Sequence, residues 1–267
     1  MNIQQAKSLK ILLIGDSCID TYHYGACDRL SGEAPVPIFL EIDWESRNGM
    51  ALNVYLNLKA FNLDVTCHTN DKKLEKHRYI DEKTRQHLLR VDKNENFPVN
   101  AYKVDSADFI DIDLVVISDY NKGFLTHDTC KEIAEICKQK NLPLFVDSKK
   151  KDLSCFEGAI LKINQKEHST IVEYPKNHEL IVTMGAAGCV YKNKIYRTKK
   201  VEVFDVCGAG DVFLASLVYK YMKHGSIEKT LDFANKAAAH SVTKLGTYVL
   251  TKEDVESLCM HKERGAT

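Results

Sequence analysis

The sequence predicts an α/β fold: a doubly wound, mostly parallel sheet with helices on both faces and a small β flap. Three observations predict it. Short apolar runs, each stopped by Gly, Asp or Ser, alternate with segments of helical period. The runs are apolar on both faces, as strands covered by helices on each side must be. Polar residues gather at their carboxyl ends, where ligands bind in such sheets.

Lys10 to Ile14, stopped by Gly15-Asp16, reads as a buried strand. Val36 to Ile42 reads as a strand that Pro35 and Pro37 confine to an edge or a strand end. Met50 to Phe61 carries Val54, Leu58 and Phe61 on one helical face, and a strand follows around Val65. Lys76 to Asp92 places Tyr79-Ile80 and Leu88-Leu89 among charges without a helical period, which predicts two exposed strands forming a flap with the Val36 segment. Asp113 to Ile117, ending in Ser118-Asp119, is a second buried strand. A helix spans about Thr126 to Lys140: Cys130, Ile133, Ala134 and Cys137 follow the i, i+3, i+4, i+7 rule, with Asp128 in the first turn and lysines in the last. Leu144 to Asp147 and Glu179 to Thr183 are further strands. With five prolines, no repeat and nothing like a long linker, residues 1–267 read as one domain.

Composition excludes several classes. The chain has 267 residues, 44% hydrophobic and 28% charged, with 37 basic and 37 acidic side chains. Zero formal net charge argues against a polybasic surface for nucleic acid. The apolar runs are too short to cross a bilayer, and the apolar stretch near the amino end meets Asp16 too soon for a signal peptide. Nine cysteines with no C-x-x-C pair fit neither a disulfide framework nor a zinc ribbon; reduced thiols in a cytoplasmic protein are the expectation.

The richest stretch is Asp205-Val-Cys207-Gly208-Ala209-Gly210-Asp211, which opens a helical pattern through Phe213, Leu214, Leu217 and Tyr221. Glycines before a helix let the backbone approach a ligand, and the first turn offers unpaired N–H groups at a positive dipole end, so this is an anion site. Asp211 in that turn either caps the helix or serves beside the anion as a proton acceptor or with a metal. Neither G-x-x-x-x-G-K-[ST] nor G-x-G-x-x-G after a strand occurs, which argues against a P-loop NTPase and a nicotinamide-linked oxidoreductase.

Asp205 to Asp211 resembles the D-T-x-G-A-G-D signature of the ribokinase-like (PfkB) carbohydrate kinases. Gly15-Asp16-Ser-Cys-Ile-Asp20-Thr-Tyr22, Gly32-Glu33-Ala34-Pro35-Val36-Pro37, Asn48-Gly49-Met-Ala-Leu-Asn53-Val54 and His87-Leu88-Leu89-Arg90-Val91-Asp92 are similar to the segments of those members that act on D-glycero-β-D-manno-heptose 7-phosphate. Ser118-Asp119-Tyr120-Asn-Lys122-Gly123, Val146-Asp147-Ser-Lys149 and Lys244-Leu245-Gly246-Thr247 continue the series in the same order. The resemblance runs from about Ile11 to Val255.

It implies a ribokinase-like fold, with lid strands within 33–43 and 76–92, and transfer of a phosphoryl group from ATP, with Mg²⁺, to the anomeric hydroxyl of that heptose 7-phosphate. Asp211 would be the base, and the N–H groups of Gly208, Ala209 and Gly210 would hold the transferring phosphate. Asp16 and Asp20, read as ending a strand, would accept from sugar hydroxyls, turn formation or capping being their alternative. Gly49 and Asn53 match the sugar-binding G-G…N segment, although Asn48 replaces its first glycine. Lys76, Arg78, Arg90 and Lys122 are candidates for the 7-phosphate, Arg90 and Lys122 lying in matched motifs; a solvated charged face is the other reading.

Asn164 and Glu167 form the family's N-x-x-E, implied to support Mg²⁺ through water, or else an ordinary surface turn. Thr183, Gly185 and Gly188 match its nucleotide loop, and Asn235 with Ala237 to Ala239 would line the adenine side, where helix packing would equally explain the alanines. The resemblance further implies pairing of two copies through the flap strands.

Several features depart from the pattern. Cys207 stands where the heptose kinases carry Thr. A G-D-containing helical stretch is missing between Val65 and Lys76, the segment between Glu167 and Glu179 is abbreviated, and no nucleotidyltransferase portion is expected after the last helix.

Overall fold

The computed structural model describes residues 9–260. β1 (Lys10–Gly15) is buried on both faces: Ile11 and Leu13 enter one hydrophobic core, Leu12 and Ile14 the other. This alternation is what a central parallel strand demands. After Asp16 the chain leaves the main sheet for β2 (Ser17–Leu30) and returns along β3 (Pro37–Met50), an antiparallel pair of 14-residue strands. α1 (Ala51–Ala60) then leads to β4 (Asp64–Thr69), which pairs with β1.

Four residues separate β4 from β5 (Leu74–Asp81), and β6 (His87–Lys93) pairs with β5. The lid is thus a four-stranded sheet in the order β3-β2-β5-β6. Buried Asn70 fixes the sharp entry into it: its side-chain oxygen accepts from the Ser17 N–H at 2.6 Å, and its amide donates to the Lys72 carbonyl at 2.5 Å.

β7 (Leu114–Asp119) returns to the main sheet beside β1. α2 (His127–Lys140) follows, its first turn capped by the Thr126 hydroxyl and its end closed by Asn141 in the left-handed conformation. β8 (Leu144–Ser148), β9 (Ile160–Asn164) and β10 (Glu179–Thr183) extend the parallel sheet. Between the last two lies α3 (Gln165–His168), of only four residues. The segment behind it runs alongside residues 151–153, with the Leu153 N–H donating to the Glu173 carbonyl at 2.9 Å.

β11 (Cys189–Tyr191) and β12 (Lys194–Tyr196) finish the eight-stranded sheet as an antiparallel edge. α4 (Ala209–His224), α5 (Glu228–Ser241) and α6 (Lys252–Met260) close the chain. With α1 they cover one face; α2 covers the other.

The expected α/β class, its parallel core and its ribokinase-like lid are present. Four expectations need correction. The strand expected at Val36 to Ile42 runs from Pro37 to Met50, and β2 was not anticipated at all. The lid therefore begins at Ser17, well before the 33–43 window, while residues 33–36 form the bend between its first two strands. Asp20 lies inside β2 instead of ending a strand. The physical reason is shared: one lid face meets water, so β2 mixes polar and apolar residues and presents no continuous apolar run. Finally, the main sheet also contains β9, β11 and β12.

Pro37 does start an edge strand, as its missing N–H requires. All nine cysteines are free. Among the described residues, no helix is long and apolar enough to cross a membrane.

Candidate active site

The carboxyl ends of β1, β7, β8, β9 and β10 and the amino end of α4 converge on one cleft beneath the lid. α4 starts at Gly208, whose φ of 75° is the left-handed region, with no side chain capping the helix. A β-carbon there would lie 2.6 Å from Asn53 Nδ2, so the turn strongly favours glycine. The Ala209 N–H donates to the Val206 carbonyl at 3.3 Å, and the Asp211 N–H to the Gly208 carbonyl at 3.0 Å. The Gly210 amide, in the first turn, has no ladder acceptor to its amino side.

The helix-capping alternative for Asp211 does not hold. Its carboxylate is buried and turned to other elements: Oδ2 accepts from Asn53 Nδ2 at 3.0 Å and Oδ1 from the Tyr120 hydroxyl at 2.8 Å. Burial pushes its carboxyl up to about 6, with both hydrogen bonds pulling the other way. Asn53 is held in turn by Asn57, whose amide donates to the Asn53 side-chain and main-chain oxygens and whose own oxygen accepts from the Leu250 N–H. A neutral-to-ionised transition near physiological pH, fixed geometry and a neighbouring helix amino end suit proton acceptance beside an anion.

Asp16 is fully buried at the junction of β1 and β2. Oδ2 accepts from the main-chain N–H groups of Tyr120 at 2.8 Å and Lys122 at 3.3 Å, whereas Oδ1 has no partner among the described residues. A buried carboxylate oxygen left without a donor is costly and marks a place for a ligand hydroxyl. Burial and neighbouring Asp119 raise its pKa. Asp20 is ion-paired with buried Arg78, and a β-carbon on Gly49 would collide with Asp20 Oδ2, so Gly49 lets β3 pass close to that carboxylate.

The four candidate cations differ in availability. Arg78 serves Asp20. Lys122 Nζ pairs with Glu95 at 2.7 Å. Arg90 sits on the outer strand β6, its side chain 54% exposed and paired with Asp92 at 2.7 Å. Lys76 lies with its ammonium 5.6 Å from the centre of the Tyr120 ring and, among the described residues, forms no ion pair.

On the other side of Gly210 opens a cavity of about 390 Å³. Thr183, Gly185 and Gly188 line one wall and Asn235 another. Val203 and Val206, both more than half exposed, add an apolar surface that a flat apolar ligand would cover. Asn235 donates to the Tyr196 carbonyl at 2.8 Å, tying α5 to the sheet edge. Asn164 and Glu167 form a reciprocal capping box for α3. Glu167 Oε1 also takes the Lys149 ammonium at 2.6 Å. Both carboxylate oxygens keep lone pairs for water, which fits support of a cation through water and the phosphates of a nucleotide.

The structure therefore brings Asp16, Asp20, Gly49, Asn53, Gly208, Ala209, Gly210 and Asp211 together under the lid, and Thr183, Gly185, Gly188 and Asn235 around the adjoining cavity. Arg90 stands apart on the exposed edge. Sequence reasoning missed Tyr120, whose hydroxyl meets Asp211, and Lys162, a buried lysine of β9 beside Gly210. Tyr120 lay inside a quoted motif, and its signal was a tyrosine directly after a strand-ending Asp119. Lys162 lay in the unrecognised strand, and a lone lysine between Leu161 and Ile163 was its only mark.

Residues 57–254 match the model of the pfkB family carbohydrate kinase. The chain is 32% identical to the bifunctional protein HldE of Campylobacter jejuni strain RM1221 over 298 aligned positions, covering 93% of this chain and 64% of the relative. It is also 32% identical to HldE of Helicobacter hepaticus, covering 94% and 64%. The chain thus spans just under two thirds of the length of these relatives.

Among solved structures, ribokinase from Thermotoga maritima superposes with a TM-score of 0.66 at 20% identity, covering 94% of this chain and 99% of the other. Phosphofructokinase-2 from Escherichia coli, in complex with substrates and products, gives 0.71 at 15% identity, covering 96% and 100%. These two likenesses establish the ribokinase-like fold. By the match of its sequence over most of its length, the chain belongs to the pfkB family of carbohydrate kinases.

Proposed function

We propose that the protein transfers the γ-phosphoryl group of ATP to the anomeric hydroxyl of D-glycero-β-D-manno-heptose 7-phosphate, giving the 1,7-bisphosphate and ADP. The observation that carries this reading is the placement of Asp211: a buried carboxylate, fixed by Asn53 and Tyr120, in the first turn of a helix opened by Gly208. Asp211 takes the proton of the attacking hydroxyl. The new bond forms between that oxygen and the γ-phosphorus as the bond to the β-phosphate oxygen breaks. The Gly208–Gly210 turn meets the equatorial oxygens of the migrating group.

The free oxygen of Asp16 receives a sugar hydroxyl, and Asp20, oriented by Arg78, a second. Adenine lies against Val203 and Val206, with Thr183, Gly185, Gly188 and Asn235 framing the nucleotide. Mg²⁺ bound with the nucleotide phosphates would neutralise their charge, supported through water by Glu167 and Asn164. Residues 1–267 act as one kinase domain in the cytoplasm, where ATP and reduced thiols coexist. Two copies pair through the lid, whose β3 exposes Leu40, Ile42 and Trp44.

The heptose assignment rests on the ordered motifs from Gly15 to Thr247. One observation favours a second acceptor within the same family: Arg78, Lys122 and Arg90 already have carboxylate partners, which suits a sugar without a terminal phosphate. ADP release with ATP, Mg²⁺ and a panel of sugars with and without a terminal phosphate tests both. Turnover of the heptose 7-phosphate alone supports the first reading, preference for an unphosphorylated sugar supports the second, and no ADP release with any sugar overturns both.

A further inference from the structure

A line of alternating charges runs beneath the cleft. Glu167 holds Lys149 at 2.6 Å, Lys149 reaches Asp147 Oδ1 at 2.9 Å, and Asp147 Oδ2 takes Lys162 Nζ at 2.5 Å. Asp147 and Lys162 are almost completely buried, at 3% and 2% exposure. The line ends at Lys162, whose ammonium lies 2.8 Å from the point a Gly210 β-carbon would occupy. Its strand neighbours Leu161 and Ile163 are packed in the core.

A buried ammonium at such a place is expensive, and an apolar side chain would normally serve the sheet better. Of the three protons it can donate, the structure commits one to Asp147. The others belong to a charge pressed against the backbone of the glycine turn, one residue from Asp211. The chain of carboxylates and ammoniums fixes it there without drawing it out to water. A positive charge held in that position, shielded from solvent, is the arrangement that stabilises negative charge spreading over a migrating phosphoryl group.

We propose that Lys162 is a further catalytic residue: its ammonium contacts the terminal phosphate of the nucleotide through the glycine turn and accompanies that group during transfer. Asp147 and Lys149 are positioning residues that hold the ammonium under Gly210. The proposal rests on the kinase reading given above and adds to it a cation supplied by the sheet, opposite the proton acceptor supplied by the helix.

Calorimetry with ADP and with the β,γ-imido analogue of ATP separates this role from a structural one without reference to the acceptor sugar. Lys162→Met is expected to bind ADP within about twofold of the wild type and the triphosphate analogue roughly tenfold or more weakly, as loss of one charge-assisted contact implies. Because that variant strands Asp147, the double variant Lys162→Met/Asp147→Asn is measured beside it. Charge balance in the core returns, so its melting temperature recovers while the affinity for the triphosphate stays low. Recovery of triphosphate binding in the double variant, or equal weakening of both nucleotides in both variants, overturns the assignment. A wild type that binds neither nucleotide overturns the kinase reading, and the role of Lys162 with it.

Discussion

The Tyr120 hydroxyl donates to Asp211 Oδ1 at 2.8 Å, and this bond ties the loop after β7 to the first turn of α4. It favours the ionised carboxylate against burial, which raises the same group. Activity should therefore fall as pH drops through about 6, where Asp211 takes up its proton. Tyr120→Phe removes one pull toward ionisation, so the acid limb of kcat/KM should move upward by roughly one pH unit. An unmoved limb would exclude Tyr120 from setting the base.

The same carboxylate makes a statement about stability. Its folded-state pKa, about 6, lies above the ordinary value of 3.8, so the folded state binds the extra proton. Stability from this group is complete below about pH 4 and lost as pH rises through 6, a cost of about 3 kcal/mol at pH 8. Asp211→Asn is expected to abolish turnover, and its melting temperature should gain on the wild type by roughly 3 °C between pH 5 and pH 8, where the wild-type cost grows by about 1.4 kcal/mol. A pH-independent difference would contradict the burial argument.

Gly208→Ala should be damaging twice. Its φ of 75° disfavours any β-carbon, and the added methyl would press on the Asn53 amide that orients Asp211. Urea unfolding should show a loss of about 1–3 kcal/mol, and kcat should fall roughly 100-fold as the base loses its fixed position.

The cations make separable predictions. Lys76→Met should raise KM for a phosphorylated sugar roughly tenfold with little change for ATP, whereas Arg90→Ala should leave both within about twofold because Arg90 is exposed and already paired. Steady-state kinetics with both substrates varied decides between them.

Arg47 joins lid to body. Its Nη1 donates to the carbonyls of Leu245 at 2.5 Å and Thr247 at 3.3 Å, while the Thr247 N–H donates to the Tyr22 hydroxyl at 2.9 Å. Arg47→Ala should raise sugar KM roughly tenfold more than ATP KM, as loss of lid closure over the acceptor implies; equal effects on both substrates would argue for general destabilisation instead.

Much of this site was legible before the fold was known. The glycine turn, Asp211, Asp16 and the loop from Thr183 to Gly188 sit at strand ends or helix starts, where local sequence dictates local geometry. The parallel core was legible because its strands are apolar on both faces. β2 was not, because Asp20 and His23, three residues apart and so on opposite faces, interrupt its apolar residues on both sides of the strand. Lys162 and Tyr120 escaped for another reason: their meaning comes from partners 15 and 91 residues away, a distance that no spacing rule spans. The capping alternative for Asp211 could be dismissed only when its hydrogen-bond partners were seen.

Asp16 occupies the one-residue step between β1 and β2, and its carbonyl accepts the Ala51 N–H at 2.9 Å just where β3 gives way to α1. Both ends of the first lid hairpin thus leave the body at the same point, and any swing of that hairpin turns about it. A group on an axle scarcely travels, whereas Asp20, four residues outward along β2, sweeps an arc with a radius of roughly 13 Å. On the proposed reading, the acceptor would be caught by the stationary carboxylate while the entrance is wide, and gripped by the travelling one only as the entrance narrows.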